Sequence, residues 1–242
     1  MTLPRALLVS LRDPHDAMAE QERQCFADRA DLPLDQVTRW AVSEGLPSDA
    51  EIRKYDAVFF GGSGAYSVLD DVPWIRDGIT LCLRVRDLGV PGWASCFGFQ
   101  GMALVMGGEV VRDDARQELG ATELALTAAG RADPLFGALP ASFWAQEGHH
   151  DHVTKLPPGV TLLATGAVSP NQGFKVDGAP FWASQFHPEL TPETTTVRFD
   201  YYLDHYGGTD PEKDHATREW LRTGQDSPEI AGLLARLVRR EF

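Results

Sequence analysis

Short apolar runs separated by helix-length stretches are the pattern that most narrows how this chain can fold. Residues 6–11 (Ala-Leu-Leu-Val-Ser-Leu), 37–42, 57–60 (Ala-Val-Phe-Phe) and 90–95 each read as a strand. Between them, residues 16–30 contain helix formers and few β-branched residues. A second helix begins near Asp71, with Pro73 in its first turn, where a missing N–H costs nothing. Ile75, Ile79 and Cys82 recur at helical spacing and Gly89 follows the end. A third helical run covers 101–106. Strands alternating with helices predict an α/β fold, a mostly parallel central sheet flanked by helices. With 242 residues the chain can bury one large core.

Residues 108–187 are richer in strand-like segments, at 109–111, 123–127, 161–164 and 181–186. Asp177-Gly178 is a turn signal between 173–176 and 181–186, hence a hairpin. The tail is helical: Asp210-Pro211 and Ser227-Pro228 are two cap and first-turn pairs. Ile230, Leu233, Leu234 and Leu237 form an apolar stripe that packs back onto the domain or onto a second copy, the intramolecular packing being the commoner outcome. The expected organisation is a domain over 1–207 with a helical extension over 208–242 packed on it.

Composition excludes several classes of function. Thirty-five acids against 22 bases give a formal charge of −13, which repels phosphate backbones and argues against nucleic-acid binding. The longest apolar run near the N-terminus, Ala6-Leu7-Leu8-Val9, falls far short of a membrane span, and no basic region leads into a long apolar one. Three cysteines, an odd number, do not make a disulfide framework. A soluble, cytoplasmic protein is expected.

Chemistry concentrates in two segments. Residues 90–95 run straight into Cys96, with small residues two before (Ala94) and two after (Gly98), as a sharp strand-to-helix nucleophile turn demands. A sulfur at a helix N-terminus meets a favourable dipole and free N–H groups able to hold an oxyanion. Cys25 and Cys82 have no such surroundings and read as core. Further on, Ser184-Gln185-Phe186-His187-Pro188-Glu189 follows an apolar strand. In an extended chain His187 and Glu189 project together, giving a base and the carboxylate that orients it, and Pro188 keeps the backbone extended.

Gly61-Gly62-Ser63, Ser95-Cys96-Phe97-Gly98-Phe99-Gln100 and Gln185-Phe186-His187-Pro188-Glu189 together resemble class I, triad-type glutamine amidotransferase domains. They look most like free-standing proteins similar to the amidotransferase half of GMP synthase. The resemblance implies a flavodoxin-like fold and hydrolysis of the glutamine γ-carboxamide. It makes Cys96 the nucleophile, His187 the general base and acid, and Glu189 its orienter. It places the oxyanion on the N–H groups of Gly62 and Phe97, and the substrate glutamine against Gln100 and the 148–153 stretch with His149 and His150. It implies no cofactor, and a separate synthetase as partner if ammonia is passed on, since no acceptor domain fits in this chain.

Two positions depart from the family pattern. Ala94 stands where glycine is frequent, and His150 stands where a His-Gly-Asp stretch has glycine, which bears on pocket shape. His150 and His152 on one strand face supply two metal ligands, too few for a site, so no metal is expected. Gly61-Gly62-Ser63-Gly64 lacks the Gly-Lys-Ser/Thr ending of a phosphate loop. Asp70-Asp71-Val72-Pro73-Trp74-Ile75 resembles a segment of γ-glutamyl peptidases, so a γ-glutamyl peptidase or hydrolase with the same triad is the alternative. A non-catalytic regulatory module is disfavoured because all three triad positions hold competent residues.

Overall fold

The computed structural model describes residues 3–203 and 210–242. The first half runs β1 (Ala6–Ser10), α1 (Met18–Arg29), β2 (Val37–Ala41), α2 (Asp49–Ile52), β3 (Ala57–Phe60), α3 (Pro73–Asp87), β4 (Gly92–Ser95) and α4 (Phe97–Val105). It continues through β5 (Glu109–Arg112), β6 (Glu118–Leu126), α5 (Ala128–Ala132), β7 (Ser142–His149), β8 (Asp151–Lys155), β9 (Val160–Gly166), β10 (Gly173–Val176) and β11 (Phe181–Ser184). Three helices close the chain: α6 (Pro192–Tyr201), α7 (Pro211–Arg222) and α8 (Ala231–Val238).

One large sheet has the strand order β2-β1-β3-β4-β11-β10-β9-β6-β7. Strands β2, β1, β3, β4 and β11 pair in parallel, and the remaining neighbours pair antiparallel. Strands β5 and β8 form a separate antiparallel ribbon. Because successive residues of a strand face opposite ways, the parallel strands feed two cores. Ala6, Leu8, Ala57, Phe59, Trp93 and Trp182 pack on one face with Phe26 of α1 and with Leu233, Leu234 and Leu237 of α8. Leu7, Val9, Val58, Phe60, Ala94 and Phe181 pack on the other, against Ile75, Ile79 and Cys82 of α3 and Phe99 and Met102 of α4. This is the expected α/β architecture, and the expected 173–186 hairpin is the β10–β11 pair. No helix of the described residues is long and apolar enough to cross a membrane.

Several local expectations need correction. Helix α4 begins at Phe97 rather than residue 101, because the chain reverses at Cys96 and the helix starts at once. Strands β7 and β8 and the first half of β6 carry buried polar residues (Glu118, Gln146, Glu147, His149) in place of apolar alternation, and so are not legible as strands. Ser227 does not cap the turn that follows it; its hydroxyl accepts the Trp144 N–H at 2.8 Å and ties the tail to β7. The apolar stripe of α8 lies in the main core, packed with Phe26 and Trp182. The expected boundary at 207/208 lies outside the described residues.

Candidate active site

The site forms where the parallel strands end. Strand β4 hands the chain to α4 through Cys96, whose φ of 48° and ψ of −100° lie where non-glycine residues rarely go. One tertiary and one local hydrogen bond hold this turn: the Cys96 N–H donates to Ser184 O at 2.7 Å on the neighbouring strand, and the Gln100 N–H donates to Cys96 O at 3.0 Å within the first turn of α4. Small neighbours make it possible. A methyl group on Gly98 would lie 2.9 Å from Phe60 Cβ and 3.2 Å from Ala94 Cβ. The thiol is 7% exposed and opens into a cavity of about 230 Å³. Its Sγ donates to Gly148 O at 3.8 Å and accepts from Gln185 Nε2 at 3.6 Å.

His187 lines the same cavity. Its backbone N–H donates to Gln146 O at 2.9 Å, an isolated antiparallel bridge to β7. Residues 188–189 are a turn, not the extended strand expected, and Leu190 N–H closes it onto His187 O at 3.3 Å. The turn still brings the two side chains together: His187 Nδ1–H donates to Glu189 Oε1 at 2.7 Å. Burial by itself pulls the imidazolium down. The Glu189 carboxylate and the Cys96 sulfur outweigh it and hold the His187 pKa at about 10. Burial likewise opposes the Glu189 charge, yet the imidazolium and Arg198 bring that carboxyl down to about 2.

The other expected residues are placed as follows. Phe97 is the first residue of α4, so its N–H has no partner within the helix, and it lines the cavity. Gly62 also lines it, but its N–H donates to Glu22 Oε1 at 3.0 Å. The expectation of an open oxyanion donor at Gly62 is therefore not met, because a buried carboxylate has taken that hydrogen. Gln100 lines the cavity too, although its amide N–H groups donate to Asp151 O at 2.6 Å and Gln185 Oε1 at 3.1 Å, leaving only its oxygen for a ligand.

His149 ends β7, with Nδ1–H donating to Asp151 O at 2.9 Å and Nε2 lying 3.3 Å from both Glu118 and Glu147. Burial lowers this imidazolium and the two carboxylates raise it, to about 10. His150 lies at the cavity rim, Nδ1 3.0 Å from Asp114 Oδ1, while His152 is buried with Nδ1 3.4 Å from Ser169 Oγ. The two imidazoles thus engage different partners. Sequence reasoning missed Gln185 as a neighbour of the sulfur and Glu118 and Glu147 as partners of His149. A buried acid in a strand looks like any surface acid until the sheet closes over it.

A cysteine held in a strained strand-to-helix turn, sharing a cavity with a hydrogen-bonded His–Glu pair, is the arrangement of a thiol-nucleophile acyl-transfer protein. Residues 36–202 match the model of the family described as glutamine amidotransferase class-I, and the chain belongs to that family. It is 34% identical over 143 residues to a subunit of the glutamine-hydrolyzing GMP synthase of Sulfolobus acidocaldarius, covering 58% of this chain and 70% of that one. It is 36% identical over 155 residues to the GMP synthase of Burkholderia vietnamiensis, covering 60% of this chain and only 27% of that longer protein. In fold it is similar to a glutamine amidotransferase from Thermotoga maritima, with a TM-score of 0.72, 21% identity and 99% coverage of both chains.

Proposed function

We propose that the protein hydrolyses the γ-carboxamide of glutamine through a γ-glutamyl thioester on Cys96. The Cys96 turn facing the His187–Glu189 pair across one cavity carries this reading. The cavity, at about 230 Å³, is smaller than the roughly 300 Å³ and upward typical of drug-sized ligands and suits a single amino acid. In this scheme the Cys96 thiol passes its proton to His187, the sulfur attacks the carboxamide carbon, and the resulting oxyanion is met by Phe97 N–H. The C–N bond breaks as His187 protonates the departing ammonia. His187 then takes a proton from water, which attacks the thioester, and glutamate leaves as the C–S bond breaks. Glu189 keeps the imidazole oriented throughout.

We further propose that the ammonia is used by a separate synthetase chain, as the likeness to one subunit of a GMP synthase suggests. Glutamate release from glutamine and from a panel of γ-glutamyl dipeptides, with wild type and Cys96→Ala, tests the reading. Release chiefly from glutamine, abolished by the substitution, is expected. Release chiefly from dipeptides would make the protein a γ-glutamyl peptidase, and equal release by the variant would remove Cys96 from the chemistry.

A further inference from the structure

One carboxylate outside the triad joins the glycine loop of the site to the arginine that holds Glu189. Glu22, on α1, is fully buried. Its Oε1 accepts the Gly62 N–H at 3.0 Å and Arg12 Nη2 at 2.9 Å, and lies 3.8 Å from Arg198 Nη2. Arg198, on α6, reaches Glu189 Oε1 with Nη1 at 3.5 Å and Gln21 Oε1 with Nε at 3.0 Å. Arg12 carries the network on to Asp16 at 3.2 Å and to Tyr202. The glycine loop is shaped around this acid: a methyl group at Gly61 would lie 2.5 Å from Glu22 Oε1. One residue further on, a methyl at Gly62 would lie 3.6 Å from His187 Cε1, so the same loop is the wall behind the imidazole.

Resting on the triad reading above, we propose that Glu22 is a positioning residue for His187. Held by two guanidiniums, its carboxylate pins the Gly62 peptide beside the imidazole, while Arg198, which touches the same carboxylate, holds Glu189. A buried acid with two buried cations is costly to assemble and is not needed to close the sheet, whereas a brace of fixed geometry serves a proton transfer. The group that departs as ammonia must receive a proton from His187 in line. A leaving group that departs as a stable anion has no such need.

The test compares glutamine with the γ-(p-nitrophenyl) ester of glutamate, whose p-nitrophenolate leaves unprotonated. Wild type, Glu22→Gln and Arg198→Lys are compared by steady-state glutamate release and by the pre-steady-state burst of p-nitrophenolate, with Cys96→Ala as the control. A small misplacement of a catalytic group costs up to about 10²-fold. Glu22→Gln is therefore expected to lower kcat for glutamine about 10–100-fold with KM within about twofold, and to leave the burst rate within about threefold. Arg198→Lys, which keeps the cation but not the fork, is expected to give a smaller loss of the same kind. Equal loss on both substrates in both variants, or no loss on either, overturns the brace. A wild type with neither burst nor glutamate release, and whose Cys96 is not trapped by a glutamine-like electrophile, overturns the triad reading itself, and so is told apart from failure of the brace alone.

Discussion

Two buried imidazoles near one sulfur are held as cations by different means, His187 by Glu189 and His149 by Glu118 and Glu147. For His187 the folded pKa of about 10 lies above the ordinary 6.5. Its pairing therefore adds stability that is fully present below about pH 6.5 and is lost as pH rises through about 10. Glu189→Gln removes the main opposing charge, so the His187 pKa is expected to fall and the alkaline loss of stability to flatten. Urea midpoints between about pH 6 and 10 read this, and the same variant is expected to lose roughly 10²-fold in kcat for glutamine. An unchanged pH slope would show that the sulfur alone holds the imidazolium. Among the three cysteines, burial pushes the Cys25 thiol up to about 11 and raises Cys82 further, and only Cys96 opens into the cavity. One equivalent of iodoacetamide at about pH 8 is expected to label Cys96, read by peptide mass; label on Cys25 or Cys82 first would contradict the burial assigned here.

At the scale of elements, the strand-to-helix turn at Cys96 is legible because its demands are local. Small residues must flank Cys96, because a side chain at Gly98 would crowd both Phe60 and Ala94. Gly98→Ala is expected to force α4 off β3 and to cost about 1–3 kcal/mol, measured by urea unfolding, with Cys96 moved as well. A variant as stable and as active as wild type would show that the turn has slack. Helix α6 is not among the elements expected from the sequence, yet Thr191 and Thr194 form a capping box at its start and Pro192 occupies its first turn. Thr191→Ala is expected to cost about 1 kcal/mol in thermal or urea unfolding. Because α6 carries Arg198, a small fall in glutamine turnover should accompany it. The departure of residues 187–189 from an extended strand has a related cause. Pro188 excludes helix but permits both strand and turn, and the bridge to Gln146 selects the turn.

At the scale of the molecule, one face of the sheet is completed by α8, the last helix of the chain, packed against α1, the first. Leu234 is fully buried with Ile230, Leu233 and Leu237 against Phe26 and Ala27 of α1. Leu234→Ala is expected to cost about 2–5 kcal/mol, the range for emptying a packed core position. A loss below about 1 kcal/mol, read from the urea midpoint, would mean that α8 rests loosely on the domain. Between the two faces, the sheet brings α1 and α6 to the same end of the parallel strands, where Glu22 and Arg198 lie 3.8 Å apart and Arg198 also reaches Glu189.

The α/β order, the strand-to-helix turn at Cys96 and the pairing of His187 with Glu189 are written in the chain itself, because each depends on residues within a few positions of one another. Apolar runs, small flanking residues and a proline act over that range. The closed sheet alone settles that Gly62 gives its N–H to Glu22, that Gln100 spends its amide on Asp151 and Gln185, and that His149 sits between Glu118 and Glu147. Apart from Glu147, those partners come from segments far away along the chain, and a buried polar group takes whichever partner the fold presents. No pattern of neighbouring residues carries that choice.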